Sequence, residues 1–264
     1  MKHLLMAIGL LALACPAFSQ ELYVNTEPAS NMATRSLGIR LENQGYFSPY
    51  KTRTTLELMY GASRHLMVHG ALYASDYYQQ QHLEGGSVYA KYRFLSIDSV
   101  QKHFRGALFA KVSSVSNPIP YQEITLEGDN SGLQSGVVFT QLLHKLALSG
   151  SASYLHAWDN EGGFNLPTRH AANAVAYTLS AGYLLLPKTY SSYSQTNLNI
   201  YAEVLGKTNP GYGQSYLDLA PAVQLIFNSL VRVDFSYRVP LYSTMERNTA
   251  RVYLVRVEYN LFNL

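Results

Sequence analysis

After Glu21 the chain is a succession of segments in which apolar and polar side chains alternate. At 50–60, Tyr50, Thr52, Thr54, Leu56, Leu58 and Tyr60 alternate with Lys51, Arg53, Thr55 and Glu57. At 231–239, Val231, Val233, Phe235, Tyr237 and Val239 alternate with Arg232, Asp234, Ser236 and Arg238. The chain closes on the same pattern, Val255, Val257, Tyr259 and Leu261 against Arg256, Glu258 and Asn260. Successive side chains of a strand point to opposite faces, so each segment predicts a strand with one apolar and one charged face. About twelve such strands follow one another, each about ten residues long, the length a tilted strand needs to cross a bilayer. No segment of helical period and useful length follows Glu21.

The connections give the pattern a direction. Very short turns at 61–63, 143–144 and 228–229 alternate with long polar stretches such as "SDYYQQQHLEGG", "SSVSNPIPYQEITLEGDNS" and "WDNEGGFNLPTRHA". Short turns at one end and long loops at the other mark a bacterial outer-membrane barrel. The sequence therefore predicts an all-β fold: a closed, antiparallel transmembrane β-barrel of about 12 strands, with both termini periplasmic. The last strand would pair with the first, around Leu37 to Leu41, so that no sheet edge is left. Tyr50, Tyr60, Tyr92, Tyr154, Tyr183, Tyr237 and Tyr259 lie toward the ends of apolar faces, where an aromatic girdle would sit. A soluble periplasmic β protein, with the apolar faces meeting in a dry core, is the competing reading.

The N-terminus extends the same picture. A basic start at Lys2, an apolar centre from Leu4 to Ala14 and small residues at Ala17 and Ser19 read as a signal peptide over 1–19. Residues 20–33 would then form a periplasmic or lumenal segment, and 34–264 the barrel. Cys15, the single cysteine, leaves with an ordinary signal peptide; acylation of Cys15 as a lipoprotein is the alternative. The formal net charge of +3 over 264 residues holds no basic block, so no nucleic-acid partner is expected. The expected partners are outer-membrane lipid, the barrel-assembly machinery during biogenesis, and a small solute of unknown identity.

The stretch "TEPASNM", Thr26 to Met32, resembles the segment ahead of the first strand in small outer-membrane barrels of Bacteroidetes. The layout is also similar to outer-membrane transporters grouped with meta-pathway phenol-degradation proteins. That resemblance implies a barrel with a transport role and no established substrate. The C-terminal Phe262-Asn263-Leu264 partly resembles the hydrophobic signal read by the assembly machinery, without its final Phe.

The polar faces hold the candidate chemistry. Arg40, Arg53, Lys91, Arg93, Arg105, Lys111, Arg232, Arg238 and Arg256 would line the lumen with Glu42, Glu57, Glu203, Asp218, Asp234 and Glu258. Charges away from bulk water seek partners, so a paired network that packs a narrow barrel is one reading. A mildly cationic pore that prefers anionic or polar solutes is the other. The function expected is a channel or transporter for such a solute, the alternatives being a structural or adhesive barrel and an enzyme at one rim. Adhesion would use the Tyr-rich stretch "YASDYYQQQH", and a rim site would draw on His156, Asp159 and Asp129; no enzymatic activity is expected. His65 and His69 share a strand face with Glu57 diagonal to both, a weak candidate for a transition-metal site. No cofactor is expected. Gly132, Gly136 and Gly150 read as strand positions beside bulky lumenal residues.

Overall fold

A computed structural model describes residues 23–264, apart from 79, 190–194 and 263. The expected signal peptide and Cys15 lie outside the described residues. Twelve strands follow in order: β1 (Leu37–Phe47), β2 (Tyr50–Gly61), β3 (Leu66–Ser75), β4 (His82–Ser99), β5 (Lys102–Val115) and β6 (Ser131–Leu143), then β7 (Leu146–Trp158), β8 (Asn173–Leu186), β9 (Asn197–Asn209), β10 (Gln214–Phe227), β11 (Val231–Ser243) and β12 (Val252–Leu261). Each pairs antiparallel with its chain neighbours, and β1 pairs with β12 to close the barrel. At that seam the register runs from Leu37 opposite Leu261 to Gly45 opposite Tyr253. Closure satisfies the backbone groups an open edge would leave bare, as a hydrocarbon environment requires.

Burial is inverted relative to a soluble sandwich. Leu41, Val88 and Leu179 are 52%, 65% and 67% exposed on the outside, whereas Lys91 and Glu203 are 0% exposed within. All seven girdle tyrosines are exposed. The apolar half of each alternating segment therefore faces outward and does not meet its counterparts in a dry centre. That exterior is built for lipid contact.

The end that carries both Leu37 and Leu261 is the terminal end, and the opposite one the far end. Turns at the terminal end are tight at β2–β3, β4–β5, β6–β7 and β10–β11, while β8–β9 is joined through 187–196. At β10–β11, Leu230 N–H donates to the Phe227 carbonyl across Asn228 and Ser229, whose φ values of 52° and 56° are those of a primed hairpin turn. At the far end the long connections are 116–130 and 159–172. Two connections are only two residues long: β1 runs to Phe47 and β2 begins at Tyr50, and β4 runs to Ser99 and β5 begins at Lys102.

Two irregular segments do not project from the barrel but fill it. Residues 23–36 lie inside the terminal half, and 116–130 folds back into the lumen from the far end. Tyr23 packs with Tyr201, Ala222 and Leu254, its ring 5.4 Å from that of Tyr201. Tyr201 in turn sets one edge of its ring against Gly182, where any Cβ would come within 2.3 Å of the ring. The loop inserts Ile124 and Leu126 among Leu155, Ala157 and Ala174. Apolar contacts thus do form inside the barrel, between the wall and these inserts. The Cβ position of Gly132 lies near Leu126 of the loop, and that of Gly136 near the ring of Phe109 on β5. Gly150 differs: its nearest neighbour is the outward side chain of Leu179.

Candidate functional site: a lumen closed from within

The lumenal charges sort into a wall network and a set of contacts to the inserts. Across the closure seam, Arg40 donates to Glu258 at 2.9 Å and to Glu57 at 2.8 Å. Arg232 lies 2.8 Å from Glu258 and 3.1 Å from Asp234. Arg256 pairs with Glu42 at 2.6 Å and Asp234 at 3.4 Å. This chain joins β11, β12, β1 and β2. Elsewhere Arg53 forms a fork with Glu84, at 2.6 and 3.0 Å, and Asp218 takes Arg238 at 3.4 Å and Arg247 at 2.5 Å. Each buried carboxylate here is met by a guanidinium, whose planar donors suit bidentate pairing.

The N-terminal segment is held mainly by one carboxylate. Glu203 Oε1 accepts from the backbone N–H of Val24 at 3.0 Å and of Asn25 at 2.9 Å, and from the Asn25 side chain at 3.1 Å. Its Oε2 accepts from Thr26 Oγ1 at 2.7 Å, and Thr26 Oγ1 lies 2.9 Å from Ser180 Oγ. Lys91 donates to Glu27 and to the Pro28 carbonyl, both at 2.9 Å. Nearer the terminal end, Ala29 N–H donates to Thr140, Arg105 to Ser30 and Met32 packs on Met59 and Met67. The Thr26–Met32 stretch therefore lies in the lumen.

Loop 116–130 is held by its acids. Lys207 donates to Glu123 at 3.1 Å and to the Ile124 carbonyl at 2.6 Å. Tyr216 donates to Glu123 at 2.8 Å. Lys111 pairs with Glu127, and Arg53 with Asp129 at 2.5 Å. Burial favours the neutral acid at these positions, but the facing cations outweigh it. Lys91, then His69 and Arg40, hold Glu27 down to about 2. Lys207 and Arg238 hold Glu123 down to about 2, and Lys111 lowers Glu127. The inserts are thus docked as anions.

Between the inserts remains a cavity of about 320 Å³, at the lower end of the ~300–1,000 Å³ usual for small-molecule pockets. Asn25 and Glu27 of the N-terminal segment bound it, as do Glu123, Glu127 and Asp129 of the loop. Its lining extends to the far-end residues Gln44, Tyr77, Asn248 and Thr249. It is polar, ionic and edged by four tyrosines, Tyr73, Tyr77, Tyr89 and Tyr216.

The residues singled out from sequence fall as follows. Arg40, Arg53, Glu57, Lys91, Lys111, Glu203, Asp218, Arg232, Asp234, Arg238, Arg256 and Glu258 all point into the lumen, in the contacts given above. Arg93 and Arg105 are at its terminal rim, where Arg93 donates to the Arg64 carbonyl at 2.6 Å. The metal candidate is not assembled. His69 Nδ1 is 2.8 Å from Glu57, but the register sets Met59 opposite His69 and Gly61 opposite Met67, leaving His65 beyond the strand pair. There His65 Nδ1 lies 3.0 Å from the Arg93 carbonyl. Among the described residues no group of three His, Cys, Asp or Glu could hold a metal. The rim candidates are likewise apart: His156 Nδ1 meets Asn173 at 2.7 Å, Asp159 accepts from Leu166 N–H, and Asp129 points inward to Arg53. Tyr77 and Tyr78 turn inward too, the first beneath the Arg53 guanidinium and the second donating to Asp129.

Sequence reasoning missed Glu27, Glu84, Glu123, Glu127 and Lys207. For Lys207 the signal was present: it shares the Glu203 face of β9, four residues on. For the loop acids, the apolar Ile124 and Leu126 between them argued against a solvated loop.

A lipid-matched exterior, a closed antiparallel sheet and an ionic interior define an outer-membrane β-barrel. No protein-family model matches the chain, and no curated protein sequence matches it. Among solved structures, the KdgM porin in complex with disordered oligogalacturonate is similar in fold, at 12% identity and a TM-score of 0.51, over 86% of this chain and 99% of that one. OccAB2 of Acinetobacter baumannii matches at 12% identity and a TM-score of 0.38, over 85% of this chain and 60% of that one. A loop-deletion mutant of OmpT, an outer-membrane protein of Vibrio cholerae, matches at 10% identity and a TM-score of 0.35, over 86% and 98%.

Proposed function

We propose that this barrel passes a small polar solute across the outer membrane and that its N-terminal segment closes the route at rest. The observation that carries the reading is the polar cavity of about 320 Å³, lined as far as the far-end loops and bounded on the terminal side by Asn25 and Glu27. A barrel wanted only as a scaffold has no need of a hydrated ionic chamber, since buried charges cost stability unless fully paired. The likeness in fold to a porin and the resemblance of the Thr26–Met32 stretch to barrels with a transport role support the same reading. It includes no enzymatic step.

The test is a reversible lock. Thr26 and Ser180 bring their hydroxyl oxygens to 2.9 Å, so T26C with S180C places two sulfurs within bonding reach. In planar bilayers the oxidised pair is expected to conduct at the noise level, and dithiothreitol to restore the conductance of the parent chain. Identical traces before and after reduction, with the disulfide shown to form, would remove the N-terminal segment from the route. Silence of the parent chain at every voltage and in every electrolyte would remove the passage reading itself.

A further inference from the structure

Among the described residues three lysines lie deep in this lumen, Lys91, Lys111 and Lys207; Lys51, on the Arg53 face of β2, is at the far rim and donates to the Asp76 carbonyl. Among the described residues, every hydrogen-bond or ion-pair partner of the three deep lysines comes from an insert and none from the wall. Lys91 bonds Glu27 and the Pro28 carbonyl, Lys111 pairs with Glu127, and Lys207 bonds Glu123, the Ile124 carbonyl and Thr125. The lumenal arginines differ. Arg40, Arg53, Arg232, Arg238 and Arg256 each have a wall carboxylate at 3.4 Å or less. With the inserts lifted away the arginines would keep these carboxylates, and the three lysines would lose every hydrogen-bonded counter-charge, Lys207 keeping only the Tyr216 ring at 5.8 Å and Lys111 the charge of the more distant Glu57.

Their positions descend the barrel. Lys207 lies two residues from the far end of β9 and Lys111 four from the far end of β5, four strands away around the barrel. Lys91 lies nine residues down β4 and diagonal to Lys111, since Lys91 faces Phe109 in the register. Lys111 and Lys207 line the chamber, and Glu27, the partner of Lys91, closes its terminal side. A buried ammonium without a counter-charge is costly, so an open route with this wall needs an anion to take each carboxylate's place.

From this we infer that the inserted carboxylates Glu27, Glu123 and Glu127 are tethered stand-ins for the solute. The solute is therefore an organic anion bearing carboxylate groups, which passes by displacing them from Lys207, Lys111 and Lys91 in turn. The inference rests on the passage reading and narrows it to a substrate class. Tethering keeps the internal acids at high effective concentration, which closes the route to other traffic until a competing anion accumulates. No bond is made or broken; the step is an exchange of ion-pair partners.

Gluconate and sorbitol, equal in carbon number and differing by a carboxylate, separate the possibilities in liposome swelling. The parent barrel is expected to admit gluconate faster than sorbitol by about fivefold or more, as a cationic constriction should. K111Q with K207Q is expected to bring the ratio to about one, whatever happens to the absolute flux of either solute. Retention of the heat-modifiable folded band on gels shows that the variant is a barrel, and the single K111Q, expected to give an intermediate ratio, serves if the pair does not fold. A second measurement reads displacement without flux: labelling of T26C by a water-soluble maleimide is expected to speed up in gluconate but not in chloride at equal ionic strength. Sorbitol entering as fast as gluconate, or a ratio unmoved by the lysine changes, overturns the inference and leaves passage standing. Exclusion of both solutes overturns passage, and the labelling result then still decides whether the lumen exchanges its acids for a free anion. Equal labelling in gluconate and chloride overturns that exchange.

Discussion

The two segments that fill this lumen are docked by different means. Loop 116–130 leaves the wall at Val115 and rejoins it at Ser131, and it buries Ile124 and Leu126 among wall side chains besides forming ion pairs. Segment 23–36 joins the wall at Leu37; it too buries apolar side chains, Tyr23, Val24, Ala29 and Met32, in three small clusters, and it makes four contacts to Glu203. A segment fixed at both ends with an apolar anchor loses little entropy on docking and gains directly from burial. A segment joined to a strand at one end recovers more chain entropy when it undocks, and the hydrogen bonds that hold it each gain only about 0.5–1.5 kcal/mol net. On the passage reading proposed above, the loop is the standing constriction and the N-terminal segment the part that leaves.

The largest effect should come from breaking the loop's anchor. Leu126 is fully buried, and Leu126→Ala leaves a cavity that such substitutions usually charge at about 2–5 kcal/mol. Hydrogen exchange of the 116–130 amides should rise accordingly while the strand ladder of β5 and β6 stays protected. An unchanged loop exchange rate would mean that the apolar anchor is not what holds it.

Next in size is Glu203→Ala. It strands the Val24 and Asn25 amides in a buried setting, at about 1–3 kcal/mol each. The open fraction of the barrel, read as bilayer conductance, should rise at least tenfold, with loop exchange unaltered. Glu203→Gln keeps an acceptor and should fall between the two. A closed E203A barrel would transfer the holding role to Lys91 and the methionine cluster.

How much of this contrast could be read from the chain is itself instructive. Strands, faces and closure were legible because alternation has a single geometric meaning, and the Arg40–Glu258 and Arg40–Glu57 cross-strand partners follow from register once closure is assumed. The inserts were not legible in the same way, since an irregular segment carries no period to say where it docks. Glu123, Glu127 and Asp129 look like ordinary loop acids until Lys207, Lys111 and Arg53 are known to face them. The metal idea for His65 and His69 failed for a related reason: sharing a face set their direction but not the end of the strand, and His65 falls just past it.

Acid should sharpen the distinction between the segments. Glu27 is held down to about 2 when docked, against about 4.3 for a free glutamate. A depressed acid stabilises docking fully above its free value, and the contribution is lost as pH falls toward the docked one. Glu123, also held at about 2, behaves alike, but its loop is joined to β5 and β6 at its two ends and stays in place when the ion pair is lost. Conductance should therefore be flat from pH 7 to about 5 and rise between about 4 and 2, through release of the N-terminal segment first. Exchange data across that range should show 23–33 losing protection before 116–130. The reverse order would invert the assignment of constriction and gate.

The smallest effect is expected where an ion pair sits in water. Asp98 lies 2.7 Å from His103 and 3.4 Å from Arg105, yet its side chain is 47% exposed at the terminal rim. Such pairs contribute about 0–1 kcal/mol, because solvent already satisfies both charges. Arg105 also keeps its bond to Ser30 of the N-terminal segment when Asp98 is lost. Asp98→Asn should thus leave conductance within about twofold of the parent and the urea midpoint essentially in place. Lys91→Gln should open the barrel, since it removes the one cation that bonds Glu27 and the Pro28 carbonyl together in the buried lumen. If the two substitutions moved conductance equally, depth in the lumen would not be what separates an ion pair that holds the segment from one that merely decorates the rim.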